Sequence, residues 1–336
     1  MSTIFYQDDD VLRVEQLHIT VKKKNRVIRT IVKDIGFRIK KGETLAIVGE
    51  SGSGKSVTSL AILGLLPKSL CIQSGSIFFQ HKNIVSMTEK ERKKFRGKGI
   101  GYVFQDYRGS FTPFFKIGKQ MTEVIKTHER CSQKEAKEKV LDALDKVDLP
   151  STRIWNSYPF ELSGGQLQRT ALATAMILKP SLLIADEPTT ALDVCTVQKI
   201  MDHITKLKEE NDCSFLLITH DIGLALQRAD WIAVMYGGRI LELAKASQLR
   251  QHSYHPYTKL LLQSRPSITK HKDTLVTIPG EPGLIYENGC PFALRCPIKE
   301  PVCLKEPLKR TSINNDHDIT CHVAQAHLIK ESVISI

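Results

Sequence analysis

The stretch GESGSGKS, residues 49–56, decides the fold of this 336-residue chain. It matches G-x-x-x-x-G-K-[ST], follows the apolar run TLAIV, and precedes SVTSLAILGLL, which predicts a helix. Glycines let successive backbone N–H groups converge on a phosphate, and the start of a helix adds a partial positive charge. We therefore expect a phosphate-binding loop formed by Gly49, Glu50, Ser51, Gly52, Ser53, Gly54, Lys55, Ser56 and Val57.

The type of loop also predicts the ligand, because Lys55 should reach the β and γ phosphates of a nucleotide and Ser56 should ligate Mg²⁺. In LLIADEP, Asp186 and Glu187 follow a short apolar strand. Two adjacent buried carboxylates are costly without a cation. We expect Asp186 to hold the Mg²⁺ shell and Glu187 to polarise the attacking water.

Two further polar residues follow apolar runs. His220 ends LLITH, and Gln105 lies in GYVFQD. Ligands of open α/β sheets bind at the carboxyl ends of the strands. A lone histidine is more often structural, but this position favours contact between His220 and the γ-phosphate. Gln105 is expected to reach Mg²⁺ or the attacking water.

A second anion-binding pattern occurs far downstream, in ELSGGQLQR. Ser163, Gly164, Gly165 and Gln166 precede a run that predicts a helix, and a helix N-terminus binds anions. One chain has no second triphosphate to fill such a site. The pattern therefore indicates a second anion site, which the phosphates on the first loop do not explain.

The rest of the chain alternates short strands and helices, which predicts a parallel α/β sheet. VLRVEQLHITV predicts a strand, IAVMYGGRILEL predicts a hairpin, and residues from about Lys82 to Asn156 predict a helical insertion. Proline, glycine and cysteine increase from about His252. We expect a nucleotide-binding domain at residues 1–250, with a helical subdomain at about 82–180, and an extension at 251–336.

Composition narrows the class of protein. The net charge of +12 is compatible with a solvated lysine-rich surface or with contact to nucleotide phosphates, nucleic acid or an anionic membrane. No apolar run approaches the length of a membrane span, and MSTIFYQDDD lacks the pattern of a signal peptide. We expect a protein kept in the cytosol.

Four of the eight cysteines crowd the C-terminal end, at Cys290, Cys296, Cys303 and Cys321. In a reducing compartment clustered cysteines favour a metal over disulfides, and four thiolates suit zinc or an iron–sulfur cluster. The spacing is not that of common zinc sites. His322 is an alternative ligand, and four reduced cysteines without a metal remain the third interpretation.

Taken together, GESGSGKS, GYVFQD, ELSGGQLQR, LLIADEP, ALDV and LLITHD resemble the ATPase subunit of ABC transporters, in that family's order. The resemblance implies an α/β P-loop NTPase fold. It has a mixed or parallel sheet core, an antiparallel N-terminal β subdomain, a helical subdomain and, here, a cysteine-containing extension. It also implies a head-to-tail pair, in which one chain's LSGGQ closes over the other chain's ATP and Asp193 couples the two sites.

HPYTKLLL, IPGEPG and GCPFALRCP narrow the resemblance to oligopeptide, dipeptide and nickel importers. That family implies two permease subunits, an extracytoplasmic binding protein, a second ATPase (identical or paralogous) and a place at the cytoplasmic face of the membrane, without nucleic acid. It further implies a [4Fe–4S] cluster at the four cysteines. Peptide is the expected cargo and nickel the alternative. An ABC protein outside transport would carry coiled-coil insertions or tandem cassettes, which this sequence lacks.

The sequence departs from its relatives at the expected adenine contact. Many relatives have an aromatic residue near position 21, where this chain has Val21. Tyr6 and Phe37 are poor substitutes, and Arg26 or Arg29 could support the base instead. Leu167 also stands where relatives often have arginine.

Overall fold

A computed structural model of the protein describes residues 9–23, 26–189, 194–264, 277–281 and 288–326. Its strands are β1 (Asp10–Lys23), β2 (Arg26–Lys40), β3 (Thr44–Val48), β4 (Leu70–Phe79), β5 (Lys82–Asn83), β6 (Ile100–Val103), β7 (Leu182–Asp186), β8 (Ser214–Thr219), β9 (Trp231–Tyr236), β10 (Arg239–Lys245), β11 (Thr311–Asn314) and β12 (His317–Ile319).

Its helices are α1 (Lys55–Ile62), α2 (Glu89–Phe95), α3 (Ile117–His128), α4 (Gln133–Asp145), α5 (Ser151–Asn156), α6 (Gly164–Met176), α7 (Val194–Glu210), α8 (Ile222–Arg228), α9 (Ala246–Gln251), α10 (Pro256–Gln263) and α11 (Val302–Lys305). Short 3₁₀ turns occupy Pro159–Glu161 and Ala293–Arg295. None of the helices in the described ranges is long and apolar enough to cross a membrane.

The chain forms two compact units. The first comprises Met1–Arg13, Arg38–Glu43 and Phe78–Ile218, and the second comprises Val14–Phe37, Thr44–Ile77 and Thr219–Ile336. Neither unit is a single continuous segment, because the chain passes between them several times.

Parallel strands form the centre of the first unit, where β7 pairs with β6 on one side and with β8 on the other. Every residue of β7 and β8 is buried, as expected for strands covered on both faces. Helices α3, α4 and α5 pack through apolar faces that include Met121, Val140 and Ile154, all of them fully buried. These helices lie in the range predicted for the helical insertion, and β6 is a strand within that range.

A mixed sheet forms much of the second unit. Strand β3 runs parallel to β9, and β9, β10, β12 and β11 then pair antiparallel in that order. The hairpin between β9 and β10 turns at Gly237 and Gly238, whose φ angles of 50° and 76° suit glycine. The predicted hairpin is confirmed, and residues after 251 extend its sheet through β12. Separately, β1 lies between β2 and β4.

A buried contact between two polar side chains joins β12 to β10. Glu242 and His317 are both almost fully buried, and 2.7 Å separates Oε1 of Glu242 from Nε2 of His317. The same carboxylate accepts backbone hydrogen bonds from Tyr254 and His255 at 2.8 and 3.2 Å. These partners satisfy a carboxylate that would otherwise be costly to bury.

Candidate functional site

The loop predicted from GESGSGKS joins β3 to α1 in the second unit. Gly52 and Gly54 have φ angles of 77° and 103°, which glycine adopts without strain. A Cβ on Gly49 would overlap the backbone carbonyl of Met235 on β9. The backbone of Gly238 also donates to the Ser53 carbonyl at 3.0 Å. The β9–β10 hairpin therefore fixes the path of the loop.

Two polar side chains of this loop are buried. Lys55 is 4% exposed, and its Nζ donates to the carbonyls of Gly49 at 2.8 Å and Glu50 at 3.0 Å. Ser53 is also 4% exposed, and within the described part of the chain its Oγ has no hydrogen-bond partner. A buried hydroxyl without a partner is destabilising, and a phosphate oxygen would satisfy it. The donors of the loop therefore fit the phosphates of a nucleotide. Ser56 and Val57, in the first turn of α1, are half-buried.

The first unit brings three of the predicted residues together at the carboxyl ends of β6 and β7. Asp186 ends β7 and is buried, and its Oδ2 accepts a hydrogen bond from the Tyr102 hydroxyl at 3.2 Å. Gln105 follows β6, and its Nε2 donates to Oε2 of Glu187 at 3.2 Å. An amide and two carboxylates supply the oxygen ligands that Mg²⁺ prefers. No sequence pattern pointed to Tyr102, whose contact with Asp186 spans 84 positions.

The backbone of Glu187 has a positive φ of 46°, which is uncommon for a residue with a side chain. Its N–H donates to the Ile218 carbonyl on β8 at 2.8 Å, which helps to hold this conformation. Unusual backbone angles of this kind concentrate at functional sites, where the fold imposes them. The strand ends therefore fix both the backbone and the carboxylate of Glu187.

Ser163 caps the N-terminus of α6. Its Oγ accepts from the Gln166 backbone at 3.3 Å, and the Gln166 side chain accepts from the Ser163 backbone at 3.1 Å. A side chain on Gly164 would stand 3.3 Å from the Tyr107 hydroxyl, whereas, among the described residues, one on Gly165 would meet the Thr196 methyl group alone, at 3.8 Å. Ser163 itself is exposed, so this helix start is accessible to an anion from outside the chain.

His220 follows β8, in the second unit, and its side chain is exposed. The next residue, Asp221, caps α8 by accepting from the backbones of Gly223 and Leu224 at 2.7 and 3.2 Å. This cap fixes the turn that presents His220. Asp193 lies outside the described residues.

Known protein families and known proteins match this chain over most of its length. Residues 32–190 match the family model described as "ABC transporter", and residues 241–303 match "Oligopeptide/dipeptide transporter, C-terminal region". The dipeptide transport ATP-binding protein DppD of Bacillus subtilis is 38% identical over 93% of this chain and 94% of its own length. The oligopeptide transport ATP-binding protein OppD of Escherichia coli is 40% identical over 90% of each.

The chain belongs to the ABC transporter family of ATPase subunits. Solved structures agree with this ABC ATPase assignment. The dimeric structure of MJ0796, titled a bacterial ABC transporter cassette, is 30% identical, has a TM-score of 0.63, and covers 70% of this chain and 98% of its own. A second structure of that cassette has the same similarity and holds ADP and phosphate after hydrolysis. The predicted P-loop NTPase fold and the predicted ATPase activity are thus confirmed.

The four late cysteines of this ABC ATPase lie close together. Burial raises the pKa of the Cys290 thiol to about 12, and the thiols of Cys321, Cys303 and Cys296 act in the same direction. The Cys290 backbone also donates to the Cys303 carbonyl at 2.7 Å. Four neighbouring thiols are suitable donors for iron or zinc. In the described ranges, however, no group of three or more His, Cys, Asp or Glu side chains is arranged to hold a metal ion.

The expected adenine contact is not explained by the aromatic candidates. Phe37 is 1% exposed and therefore unavailable to a base, and Tyr6 lies outside the described residues. Val21 is half-buried, whereas Arg26 and Arg29 are exposed.

Proposed function

We propose that this ABC ATPase powers the import of peptides across the cell membrane, working at the cytoplasmic face. The observation that carries the proposal is the match of residues 241–303 to the oligopeptide/dipeptide transporter region, on a chain whose phosphate-binding loop precedes it. The similarity to dipeptide and oligopeptide transport proteins over nearly their whole length supports the same cargo.

The local geometry supports the following roles at the nucleotide. The loop residues 49–57 bind the phosphates, with the buried Ser53 hydroxyl and Lys55 as side-chain donors. Ser56, Gln105 and Asp186 are the predicted ligands of Mg²⁺, and a bound Mg²⁺ would neutralise developing charge on the phosphates. Glu187 polarises the attacking water and His220 contacts the γ-phosphate. The buried position of Asp186 beside Glu187 supports a cation at this strand end.

We further propose that ATP completes its site between two ATPase subunits. Ser163, Gly164, Gly165 and Gln166 would close over the nucleotide of the second subunit, and Asp193 would couple the two sites. The exposed, capped start of α6 supports this, as does the dimeric form of the similar cassette. Loss of the γ-phosphate would then remove the bridge and let the pair open.

The first unit has a surface suited to the permease subunits. Phe114 and Phe160 are 82% and 72% exposed, and Phe104 and Phe115 are also exposed. Tyr158 stacks on Phe160 with 5.5 Å between ring centroids, and Lys119 lies 4.0 Å from the centroid of Phe115. Exposed large aromatic side chains of this kind support a binding surface for another protein. An extracytoplasmic binding protein would deliver the peptide to those permeases.

A [4Fe–4S] cluster at the four cysteines stays a prediction. Their proximity and the chemistry of four thiols support it, whereas the lack of a ready metal-holding group in the described ranges does not. Such a cluster would stabilise the extension, since ATP hydrolysis needs no redox step.

Uptake by cells tests the cargo directly. A strain that lacks this chain should stop accumulating a labelled tripeptide or pentapeptide, and the intact chain should restore uptake, whereas the Lys55→Ala variant should not. Labelled nickel is measured in the same cells. Unchanged peptide uptake with lost nickel uptake would contradict the peptide proposal and favour the metal importer.

A further inference from the structure

Two segments after residue 250 contact one residue of the phosphate-binding loop, Glu50. They are HPYTKLLL, through Tyr257, and GCPFALRCP, through Arg295, and Arg295 is itself held by the carbonyls of Ile278 and Pro279. All of them lie in the second unit. We propose that Arg295 and Tyr257 are positioning residues, which hold the loop in its ATP-binding form by binding Glu50. The proposal rests on the proposed ATPase function and deepens it.

The first contact is an ion pair. Nη1 of Arg295 lies 2.8 Å from Oε2 of Glu50, and the two side chains are only 8% and 21% exposed. The other donors of Arg295 are also used, because Nε reaches the Pro279 carbonyl at 2.6 Å and Nη2 reaches the Ile278 carbonyl at 3.3 Å. A guanidinium with several fixed partners holds its carboxylate in one geometry.

The second contact fixes the backbone of the same residue. The N–H of Glu50 donates to the Tyr257 hydroxyl at 3.1 Å, and Lys55 binds the Glu50 carbonyl at 3.0 Å. Glu50 is therefore held at its amide, its carbonyl and its side chain. The contacts to its carbonyl come from within the loop, from Lys55 and from the Ser53 backbone at 3.2 Å, whereas the amide and side-chain contacts come from residues after 250.

An aromatic cluster makes this support rigid. Tyr257 is fully buried, and its ring lies 4.8 Å from that of Tyr236 and 5.2 Å from that of Phe292. Tyr236 accepts a hydrogen bond from Arg295 at 3.1 Å, and the guanidinium stands 5.6 Å from the centre of its ring. Buried rings and a cation above them keep their geometry because few rotamers fit.

The arrangement has an electrostatic consequence for nucleotide binding. Glu50 places a carboxylate in a loop that must receive a triphosphate, and like charges at short range repel. Arg295 compensates that charge and directs the carboxylate towards the extension. Without Arg295 the loop would present an uncompensated negative charge to ATP.

The test measures the affinity of the full-length chain for Mg·ATP. Arg295→Met should weaken binding by about tenfold, the order expected for one uncompensated charge beside a triphosphate. Adding Glu50→Gln to Arg295→Met should recover much of the loss, since the repelling charge is then gone. Arg295→Lys should retain most of the affinity. In hydrolysis assays KM for ATP should rise more than kcat falls.

Arg310→Met is the matched control. Arg310 lies in the same extension and binds Asp318 and the Gly36 carbonyl, away from the loop. It should lower the unfolding temperature without changing ATP affinity. If Arg295→Met does not fold, Tyr257→Phe removes only the acceptor of the Glu50 amide and should weaken binding severalfold.

Wild-type affinity in both Arg295→Met and Tyr257→Phe, or a double variant no better than Arg295→Met alone, would overturn the inference. A wild-type chain that binds no ATP would instead contradict the proposed function.

Discussion

The side-chain amide of Gln105 donates to the carboxylate of Glu187 over 3.2 Å, and thereby joins the segment after β6 to the end of β7. Together with the positive φ of Glu187, this contact gives the carboxylate a defined direction. A residue that polarises water depends on such direction as much as on its charge.

We expect Glu187→Gln to lower the rate of ATP hydrolysis by about 100-fold or more while ATP binding persists, because the amide cannot polarise water as a carboxylate does. The measurement is single-turnover hydrolysis together with the affinity for Mg·ATP. Glu209→Gln, at the exposed end of α7, is the control and should hydrolyse normally. Wild-type hydrolysis by Glu187→Gln would remove Glu187 from its assigned role.

Ser163→Ala should abolish most hydrolysis by the assembled pair, by about 100-fold, as for other lost donors to a developing anion. It should also cost about 1 kcal/mol of stability, because it removes a helix cap. ATPase rates and unfolding by denaturant measure the two effects separately.

Ser132→Ala provides a close control for that variant. Ser132 caps α4 with the same reciprocal pair of hydrogen bonds, at 3.2 Å from the Glu135 backbone and 2.7 Å to its carboxylate. It should lose similar stability and keep full activity. Equal ATPase rates in the two variants would show that Ser163 acts only as a cap.

The four late cysteines should bind iron and sulfide. Anaerobically purified protein is expected to be brown and to contain about four iron atoms per chain, as a [4Fe–4S] cluster requires. Cys303→Ser should lose the colour, whereas Cys71→Ser, far along the chain, should keep it. Metal analysis and the visible absorption spectrum decide the matter, and a colourless, iron-free wild type would refute the cluster.

Stability should decline in mild acid because of His255. Burial lowers the pKa of this imidazole to about 4, against the attraction of Glu242, so the folded state holds it neutral. The unfolded chain binds the proton from about pH 6.5 downwards, and stability therefore falls as the pH drops from about 6.5 to about 4. Over this pH range the free energy of unfolding should fall by about 3 kcal/mol.

His255→Asn should remove that part of the pH dependence. Asparagine can replace Nδ1 of His255 as the acceptor for the Tyr257 backbone, now 3.0 Å away, and so preserve the cap of α10. Denaturant unfolding at pH 7 and pH 4.5 makes the comparison, with the exposed His252→Asn as control. A variant whose stability still falls as steeply as that of the wild type would exclude His255 as the cause.

Local patterns were enough to predict much of this fold. The phosphate-binding loop, strands β3, β7 and β8, helix α1 and the β9–β10 hairpin each follow from a short stretch whose periodicity and turn residues agree. Gln105 and Glu187 were placed at strand ends for the same reason, because parallel strands present their carboxyl ends at one edge.

Residues that act through long-range contacts could not be identified from the sequence. Arg295 lies 245 positions from Glu50, and Tyr257 lies 207 positions away, so no local spacing relates them. In the sequence, Tyr102 is one residue of an apolar run that predicts a strand. Its hydroxyl can be related to Asp186 only when β6 is known to pair with β7. Packing in three dimensions determines such contacts, and a single sequence does not encode it in any short window.

Because Tyr257 and Arg295 support Glu50, shortening the chain should affect the phosphate-binding loop. A truncated version that ends with β10 would retain every motif of the ATPase yet lack both Tyr257 and Arg295. It would also expose the β10 edge that β12 covers and leave Glu242 without its histidine. Kinetic constants from such a fragment would describe an enzyme whose phosphate-binding loop has lost its supporting contacts. The C-terminal extension should therefore be kept in any form of the protein used for kinetics.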